Sequence, residues 1–482
     1  MTTALHRAGA RGGGITLIGQ AIRMAVQLAS VAILSRLLSP HDFGLIAMVT
    51  VFMTLADLLR DFGMPSAALQ AKELSHQQAS NMFWASTALG ALSCGILVAC
   101  TPLIVMLYDE PRLGRVVPAL ALTTLISGVQ AQIQVQLARG LRFTILAVSS
   151  VLAPTVGLVV AIIAALNGLG YWALVLQILA GPLTLLAIQS TSARWRPTRP
   201  RRGHGSRELF VSGAQLGVAY FLTWAASNVD SLSLGARWGA TALGFYNRGW
   251  QVTVSPIGSF LSPLTQVALP MLNKAERQGR HSFDILLHLQ VLVAAPASVV
   301  LISLALTAPS LVPLVLGSQW EPTVPIVQIL AIGECIHALS YVSYWGFLAQ
   351  RMSKQLLYYN LTTKPVGVVF ILIGAGFGAE GVAWGYVAGL AVSWPINLIW
   401  LSRSAGLPAL KFLGNGVRVL LSAGIVLIAL QMILGQWIAS QSWRAIAVGL
   451  VCSVAGFVLV LAATPTGRAD IARILRIARS IR

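Results

Sequence analysis

The chain has 482 residues, of which 56% are hydrophobic and only 10% are charged, and its formal net charge is +19. Soluble domains carry about 25% charged residues because they need a polar exterior, so this composition excludes a soluble globular protein and indicates a lipid environment. In a soluble protein such a basic excess would suggest nucleic acid as a partner. Here the Lys and Arg residues lie between apolar runs, which favours membrane lipids as partners and no nucleic acid.

The apolar runs predict an all-α fold, a polytopic membrane bundle of about 14 transmembrane helices, since a spanning helix needs about 20 mostly apolar residues. The run 241–272 is long and rich in Gly and Pro, which predicts a tilted, bent or broken helix. The predicted helices occupy residues 15–38, 42–62, 80–108, 114–137, 143–166, 169–190, 208–234, 241–272, 284–306, 323–350, 355–377, 380–402, 411–434 and 443–463.

The positions of the 33 Lys and Arg residues predict the orientation. If the N-terminus lies inside the cell, most of these residues fall in the cytoplasmic connections and the two termini. This distribution is the one that the positive-inside rule describes. We therefore expect a multi-pass protein of the cell inner membrane with both termini in the cytoplasm.

The connection 192–207 is the most basic of the inter-helix loops and predicts a cytoplasmic linker between two lobes. The N-terminal lobe, 1–191, holds the first six helices, and the C-terminal lobe, 208–403, holds the next six. Helices 13 and 14 follow in residues 404–463. The tail, 464–482, is basic and amphipathic, which predicts an interfacial helix on the inner leaflet.

A weak internal repeat relates the two lobes at an offset of 200 residues. Residues 34–46 read LSRLLSPHDFGLI and residues 234–246 read LGARWGATALGFY, so that Gly44 aligns with Gly244. An even number of helices precedes each copy, which makes the repeat parallel and predicts a pseudo-two-fold relation between two six-helix lobes. Transporters often bind their substrate at such a repeat interface near the membrane midplane.

Ionisable side chains inside the apolar runs are the candidate site residues, because each costs about 2.5–3.5 kcal/mol at a helix centre on insertion scales. Arg23 lies in the first helix between Gln20 and Gln27, at helical spacing. This polar stripe predicts substrate contacts in a hydrated cavity, with buried structural polarity as the alternative.

Four more ionisable groups lie at membrane depth. Asp230 and Arg248 either neutralise each other or act separately, Asp230 on a coupling ion or proton and Arg248 on an anionic substrate. Lys364 and Glu334 are predicted partners across neighbouring helices, with substrate contact as a role for Lys364 and ion coupling for Glu334. Cations therefore outnumber carboxylates at depth, which favours an anionic cargo.

Asp57, Arg60 and Asp61 end the second helix on the cytoplasmic side. They predict a helix-end cluster of ion pairs or, alternatively, the latch of a cytoplasmic gate. The sequence has no phosphate-binding Gly-Lys loop, no nucleophile motif and no metal-ligand spacing. We therefore predict a transporter rather than an enzyme, with no cofactor and no metal, driven by an ion gradient, the membrane potential or the substrate gradient.

Four segments carry a resemblance to a known family: ILSRLLSPHDFGLIAM (33–48), LADLLRDFGMPSAALQ (55–70), QVQLARGLRF (134–143) and LGFYNRGWQV (243–252). With the helix count and the parallel repeat, they resemble Wzx-type polysaccharide flippases of the multidrug/oligosaccharidyl-lipid/polysaccharide superfamily, in the colanic-acid-exporter-like branch.

This resemblance implies alternating-access export of an undecaprenyl-pyrophosphate-linked oligosaccharide repeat unit for exopolysaccharide or lipopolysaccharide biosynthesis, coupled to an ion as in an antiporter. Arg23, Arg248 and Lys364 would contact the pyrophosphate or acidic sugars, and a polysaccharide polymerase and a chain-length regulator would be partners. The alternatives are a multidrug or organic-cation antiporter of the same superfamily, a lipid II flippase, and a membrane scaffold that recruits polysaccharide enzymes through its basic loops.

Overall fold

The computed structural model describes residues 2–61, 65, 68–69, 74–201, 224, 227–278, 282–438, 440–470 and 472, with side chains from residue 19 onward except at 21 and 282. These residues form fourteen α-helices and contain no strand, which confirms the predicted all-α fold. The chain divides into two compact units, Met1–Gly244 and Phe245–Arg482.

The first unit holds seven complete helices and the beginning of an eighth. The predicted third helix is divided in two at Cys100, because Pro102 lies in the first turn of the following helix, where a residue without an N–H is tolerated. The helices are α1 (Thr2–Leu37), α2 (Pro40–Asp61), α3 (His76–Ala99), α4 (Thr101–Tyr108), α5 (Leu113–Arg139), α6 (Phe143–Leu166), α7 (Trp172–Ser192) and α8 (Val229–Arg277).

Helix α8 continues into the second unit and is broken at Gly239, whose φ of 77° and ψ of −175° are not helical. This break lies in the connection 235–240 between the predicted helices 208–234 and 241–272, and the stretch 241–272 itself contains no non-helical residue. Most of the predicted helix 208–234 lies outside the described residues. The remaining helices of the second unit are α9 (Ser282–Leu316), α10 (Thr323–Ala349), α11 (Ser353–Gly374), α12 (Gly378–Ala405), α13 (Ala409–Ile438) and α14 (Trp443–Ala462).

Eleven helical stretches in the described chain are long and apolar enough to cross a membrane, and one of them, Ser353–Ala405, contains both α11 and α12. Large apolar side chains lie on the outside of these helices; Leu410 and Met432 are each 84% exposed. A soluble protein avoids apolar surface on this scale. The protein is therefore a multi-pass membrane protein.

The two units repeat the same pairing of helices. Extensive contacts join α3 to α5, α6 to α7 and α5 to α7 in the first unit, as they join α9 to α10, α11 to α12 and α10 to α12 in the second. In the first unit α1 also packs closely against α6. Corresponding turns also match: Leu141 after α5 and Arg351 after α10 both have a φ of 54°. Each turn closes with a hydrogen bond from the next N–H to a carbonyl five residues earlier, a Schellman motif. The two units thus share part of their internal helix pairing, as the repeat in the sequence predicts, and the parallel relation between them stays a prediction.

The aligned glycines of the repeat lie at one close helix crossing inside the first unit. A Cβ added to Gly44 would overlap the carbonyl of Ala240, and one added to Gly244 would overlap the carbonyl of Pro40. At the offset of 200 residues, Pro40 aligns with Ala240 and Gly44 aligns with Gly244. The contact of Gly44 with Ala240 and the contact of Gly244 with Pro40 are therefore equivalent in the repeat. Backbones approach this closely only where a side chain is absent, which explains why glycine stands at both positions.

Candidate substrate and coupling sites

The polar stripe of α1 is exposed in the structure. Gln20, Arg23 and Gln27 all lie on the surface, and the Arg23 guanidinium donates to Gln20 Oε1 at 2.7 Å. No carboxylate in the described part of the chain forms an ion pair with Arg23. The fourth polar residue of the stripe, Ser30, accepts a hydrogen bond from Gln177 Nε2 at 2.8 Å, which ties α1 to α7. The stripe is therefore not buried within the described residues, and its predicted substrate contact in a hydrated cavity stays a prediction.

Arg248, on α8, is in a different environment. It is 4% exposed, and its Nη1 donates to Gln251 Oε1 at 2.6 Å. Its guanidinium carbon also lies 5.7 Å from the centroid of the Trp320 ring, within the range of a cation–π interaction. These contacts hold Arg248 inside the second unit. In this conformation its side chain offers little surface to a ligand, and its predicted substrate contact stays a prediction.

Lys364, on α11, is exposed and has no hydrogen bond or ion pair with any residue that the structure describes. Its predicted pairing with Glu334 is wrong. Glu334 is fully buried on α10, and both of its carboxylate oxygens already have other partners. Lys364 thus resembles Arg23 in being an exposed cation on a membrane helix.

Glu334 is the centre of a buried polar cluster in the second unit. Its Oε1 accepts a hydrogen bond from the hydroxyl of Tyr386 on α12 at 2.7 Å, and its Oε2 lies 3.0 Å from Nδ1 of His337. His337 is one helical turn away and its side chain is 29% exposed. The Tyr386 ring packs edge-on against Trp250 of α8, with centroids 5.1 Å apart. The cluster thus connects a buried carboxylate to an imidazole that reaches the surface.

Sequence reasoning singled out Glu334 but missed both of its partners. His337 could have been found, because residues three apart on a helix are neighbours. Tyr386 comes from another helix, 52 residues later, and no local pattern indicates it.

Asp230 lies near the start of α8 within the first unit and is 7% exposed. Its Oδ1 accepts a hydrogen bond from the N–H of Ser231 at 2.7 Å. Arg248 belongs to the second unit, so the predicted pairing of Asp230 with Arg248 stays a prediction.

The end of α2 carries the predicted cluster of ion pairs. Arg60 is 9% exposed and lies between two carboxylates, 2.6 Å from Asp57 Oδ1 and 2.8 Å from Asp61 Oδ1. The ion-pair prediction is confirmed, and the role of the cluster in a gate stays a prediction.

A family model described as "polysaccharide biosynthesis protein" matches residues 33–325, more than half of the chain. The chain belongs to this polysaccharide biosynthesis protein family. The match confirms the resemblance read from the sequence and includes Asp230 and Arg248. Arg23, Glu334 and Lys364 lie outside the matched residues.

Two relatives of this polysaccharide biosynthesis protein are similar over most of their length. The lipopolysaccharide biosynthesis protein WzxC of Escherichia coli is 24% identical over 380 residues, which cover 77% of this chain and 76% of the relative. The succinoglycan biosynthesis transport protein ExoT of Rhizobium meliloti is 24% identical over 490 residues, which cover 98% of this chain and 95% of the relative.

A solved structure shares the fold. The lipid II flippase MurJ in an inward closed conformation matches 92% of this chain and 97% of its own, with a TM-score of 0.67 and 12% sequence identity. At this identity the likeness concerns the fold alone. This polysaccharide biosynthesis protein thus shares its fold with MurJ.

Proposed function

We propose that this protein is a flippase. It moves an undecaprenyl-pyrophosphate-linked oligosaccharide from the cytoplasmic to the opposite leaflet of the inner membrane by alternating access, and so supplies repeat units for exopolysaccharide or lipopolysaccharide biosynthesis. Family membership supports the class of cargo, and the relative named as a succinoglycan transport protein supports movement rather than synthesis. Both termini would lie in the cytoplasm, as the distribution of basic residues predicts.

One observation carries the choice of an anionic cargo: Arg23 is exposed on α1, which the sequence predicts to span the membrane, and it forms no ion pair with a described carboxylate. Facing lipid, this cation would be costly, whereas facing water it attracts a dense anion. Two unit charges 4 Å apart attract by about 4 kcal/mol at an effective dielectric constant of about 20. A pyrophosphate carries more than one charge, and Lys364 is a second cation of the same kind.

The cluster of Glu334, His337 and Tyr386 is our proposed proton-coupling group. A carboxylate removed from water is stabilised by binding a proton or a cation. His337 is partly exposed and can exchange that proton with water, while Tyr386 transmits a change at Glu334 to α12. Protonation of Glu334 would then favour one of the two access states.

The test is a deletion strain complemented with the parent gene. We expect the deletion strain to lose its surface polysaccharide and to accumulate prenyl-linked repeat units on the cytoplasmic side, and complementation to reverse both. Loss of drug resistance with normal polysaccharide would refute the proposal in favour of a multidrug antiporter. Accumulation of lipid II alone would refute it in favour of a cell-wall flippase.

A further inference from the structure

A polar cavity of about 280 Å³ lies at one end of the first unit, apart from the residues discussed above. It is bounded by the end of α5, the turn into α6, the beginning of α3 and the chain just after α7. Its polar lining residues are His76, Gln136, Arg142, Arg194 and Trp195. No Asp or Glu is among the described residues that line it. The cavity is therefore rich in donors and in positive charge.

Two buried donors in this cavity have no acceptor. Gln136 Nε2 and Trp195 Nε1 are inaccessible to solvent and lack a hydrogen-bond partner in the described chain. Native structures leave few such groups unsatisfied, and each one calls for an explanation. A small turn of either side chain toward the cavity would let its N–H donate to a ligand that only accepts hydrogen bonds.

One of the two arginines of the cavity is held in place by a backbone contact. Arg142 donates from Nη1 to the carbonyl of Ser192 at 2.6 Å, which leaves its other N–H groups available. Arg194 lies two residues after Ser192 and is exposed at the mouth of the cavity. Two guanidinium groups at one cavity suit phosphate, which arginine can bind with paired hydrogen bonds.

The chain that carries Arg194 and Trp195 is fastened along α3 and is not a free linker. Trp84 Nε1 donates to the carbonyl of Thr198 at 2.8 Å, and Asn81 exchanges two hydrogen bonds with the backbone of Arg201, at 2.8 and 3.0 Å. The Trp195 ring also packs against His76, with centroids 5.9 Å apart. This strap, residues 193–201, therefore holds Arg194 and Trp195 beside the cavity before any ligand arrives.

The position of the cavity indicates the kind of ligand. Helices α3, α5, α6 and α7 are all candidate membrane spans, and the cavity lies at their ends, at the level where lipid headgroups meet water. Its volume of about 280 Å³ accommodates a phosphate or a pyrophosphate group. We propose that this cavity binds the phosphate of a lipid headgroup in the adjacent leaflet.

Binding to this site is independent of transport, so it is measured on the purified full-length protein in nanodiscs of phosphatidylcholine. The probes are polyprenyl pyrophosphate, phosphatidylglycerol and inorganic phosphate, each titrated and followed by native mass spectrometry. Binding of polyprenyl pyrophosphate but not of phosphatidylglycerol would identify the carrier lipid as the ligand. Equal binding of the two lipids would identify a general site for anionic lipid. Binding of inorganic phosphate with neither lipid would overturn the lipid assignment.

Two variants and a matched control decide the assignment. Trp195→Phe removes the N–H and keeps the ring, so it should weaken binding about tenfold, as for loss of a hydrogen bond to a charged group. The double substitution of Arg142 and Arg194 by Gln should weaken it further. The double substitution of Arg196 and Arg199 by Gln removes the same charge from exposed positions of the same strap, outside the cavity, and should change affinity by no more than about twofold.

Unchanged binding by Trp195→Phe and by the Arg142 and Arg194 double variant would overturn the proposal. An equal loss in the control variant would also overturn it, because nonspecific attraction to the basic strap would then explain binding. Folding is checked by size-exclusion chromatography, and Trp195→Phe keeps the proposal testable if the Arg142 variant fails to fold. Export by a Trp195→Phe protein that has lost lipid binding would leave the proposed flippase function intact.

Discussion

Replacement of Arg23 by Ala tests the proposed cation of the transport pathway. In the structure the Arg23 guanidinium has one hydrogen bond to Gln20 and no described ion pair, so the free energy of unfolding should change by no more than about 0.5 kcal/mol. A charge-assisted hydrogen bond to a phosphate oxygen is worth about 1.5–3 kcal/mol. Its loss should slow export of the lipid-linked oligosaccharide by about 10- to 150-fold, since each 1.4 kcal/mol is a factor of ten.

The assay is surface polysaccharide in the deletion strain that carries the variant, with the amount of membrane protein measured in parallel. Arg23→Lys keeps the charge and should retain part of the activity. Arg115→Ala removes another exposed arginine that has no described ion pair, near the start of α5, and should export normally. Normal export by Arg23→Ala at an unchanged protein level would refute the role of Arg23.

Two further predictions concern coupling and packing. Glu334→Gln keeps a carbonyl acceptor for the Tyr386 hydroxyl but removes the group that binds the proton. Transport by this variant in proteoliposomes should therefore no longer depend on a pH gradient. A pH-gradient dependence like that of the parent protein would exclude Glu334 as the coupling group. Gly44→Ala should prevent the close crossing at Ala240 and lower the yield of monodisperse protein in fluorescence-detected size-exclusion chromatography. Gly258→Ala, at a position where an added Cβ meets nothing within 4 Å, is its control, and equal yields from the two variants would contradict the packing argument.

Much of the fold follows from the sequence because membrane helices leave a strong local signal. Runs of apolar residues predicted the helices, and aligned glycines at 44 and 244 marked a crossing that the structure contains. The break at Gly239 lies in the short gap between two predicted helices, whereas the Gly- and Pro-rich run 241–272 forms a helix without a further break, because proline bends a helix without having to end it. The division at Cys100 was missed because the apolar run is continuous through Pro102.

The site was less predictable, because tertiary contacts decide what a charge at membrane depth does. Arg23 and Arg248 look alike in sequence, yet Arg23 is exposed and Arg248 is packed against Trp320. Glu334 was expected to pair with Lys364, but its Oε1 already accepts a hydrogen bond from Tyr386, which lies on another helix. The charged stretch after α7 looked like a linker, and its hydrogen bonds to α3 became visible only in three dimensions.

The central claim is that this chain itself moves a prenyl-pyrophosphate-linked oligosaccharide between leaflets. Purified protein in proteoliposomes, loaded with the fluorescently labelled cargo, tests it through the fraction of label that a membrane-impermeant quencher reaches over time. We expect the parent protein to carry quenching rapidly beyond the roughly half of the label that starts in the outer leaflet, Arg23→Ala to do so much more slowly, and protein-free vesicles to stay at that first level. Equal rates for the parent, Arg23→Ala and protein-free vesicles would contradict it.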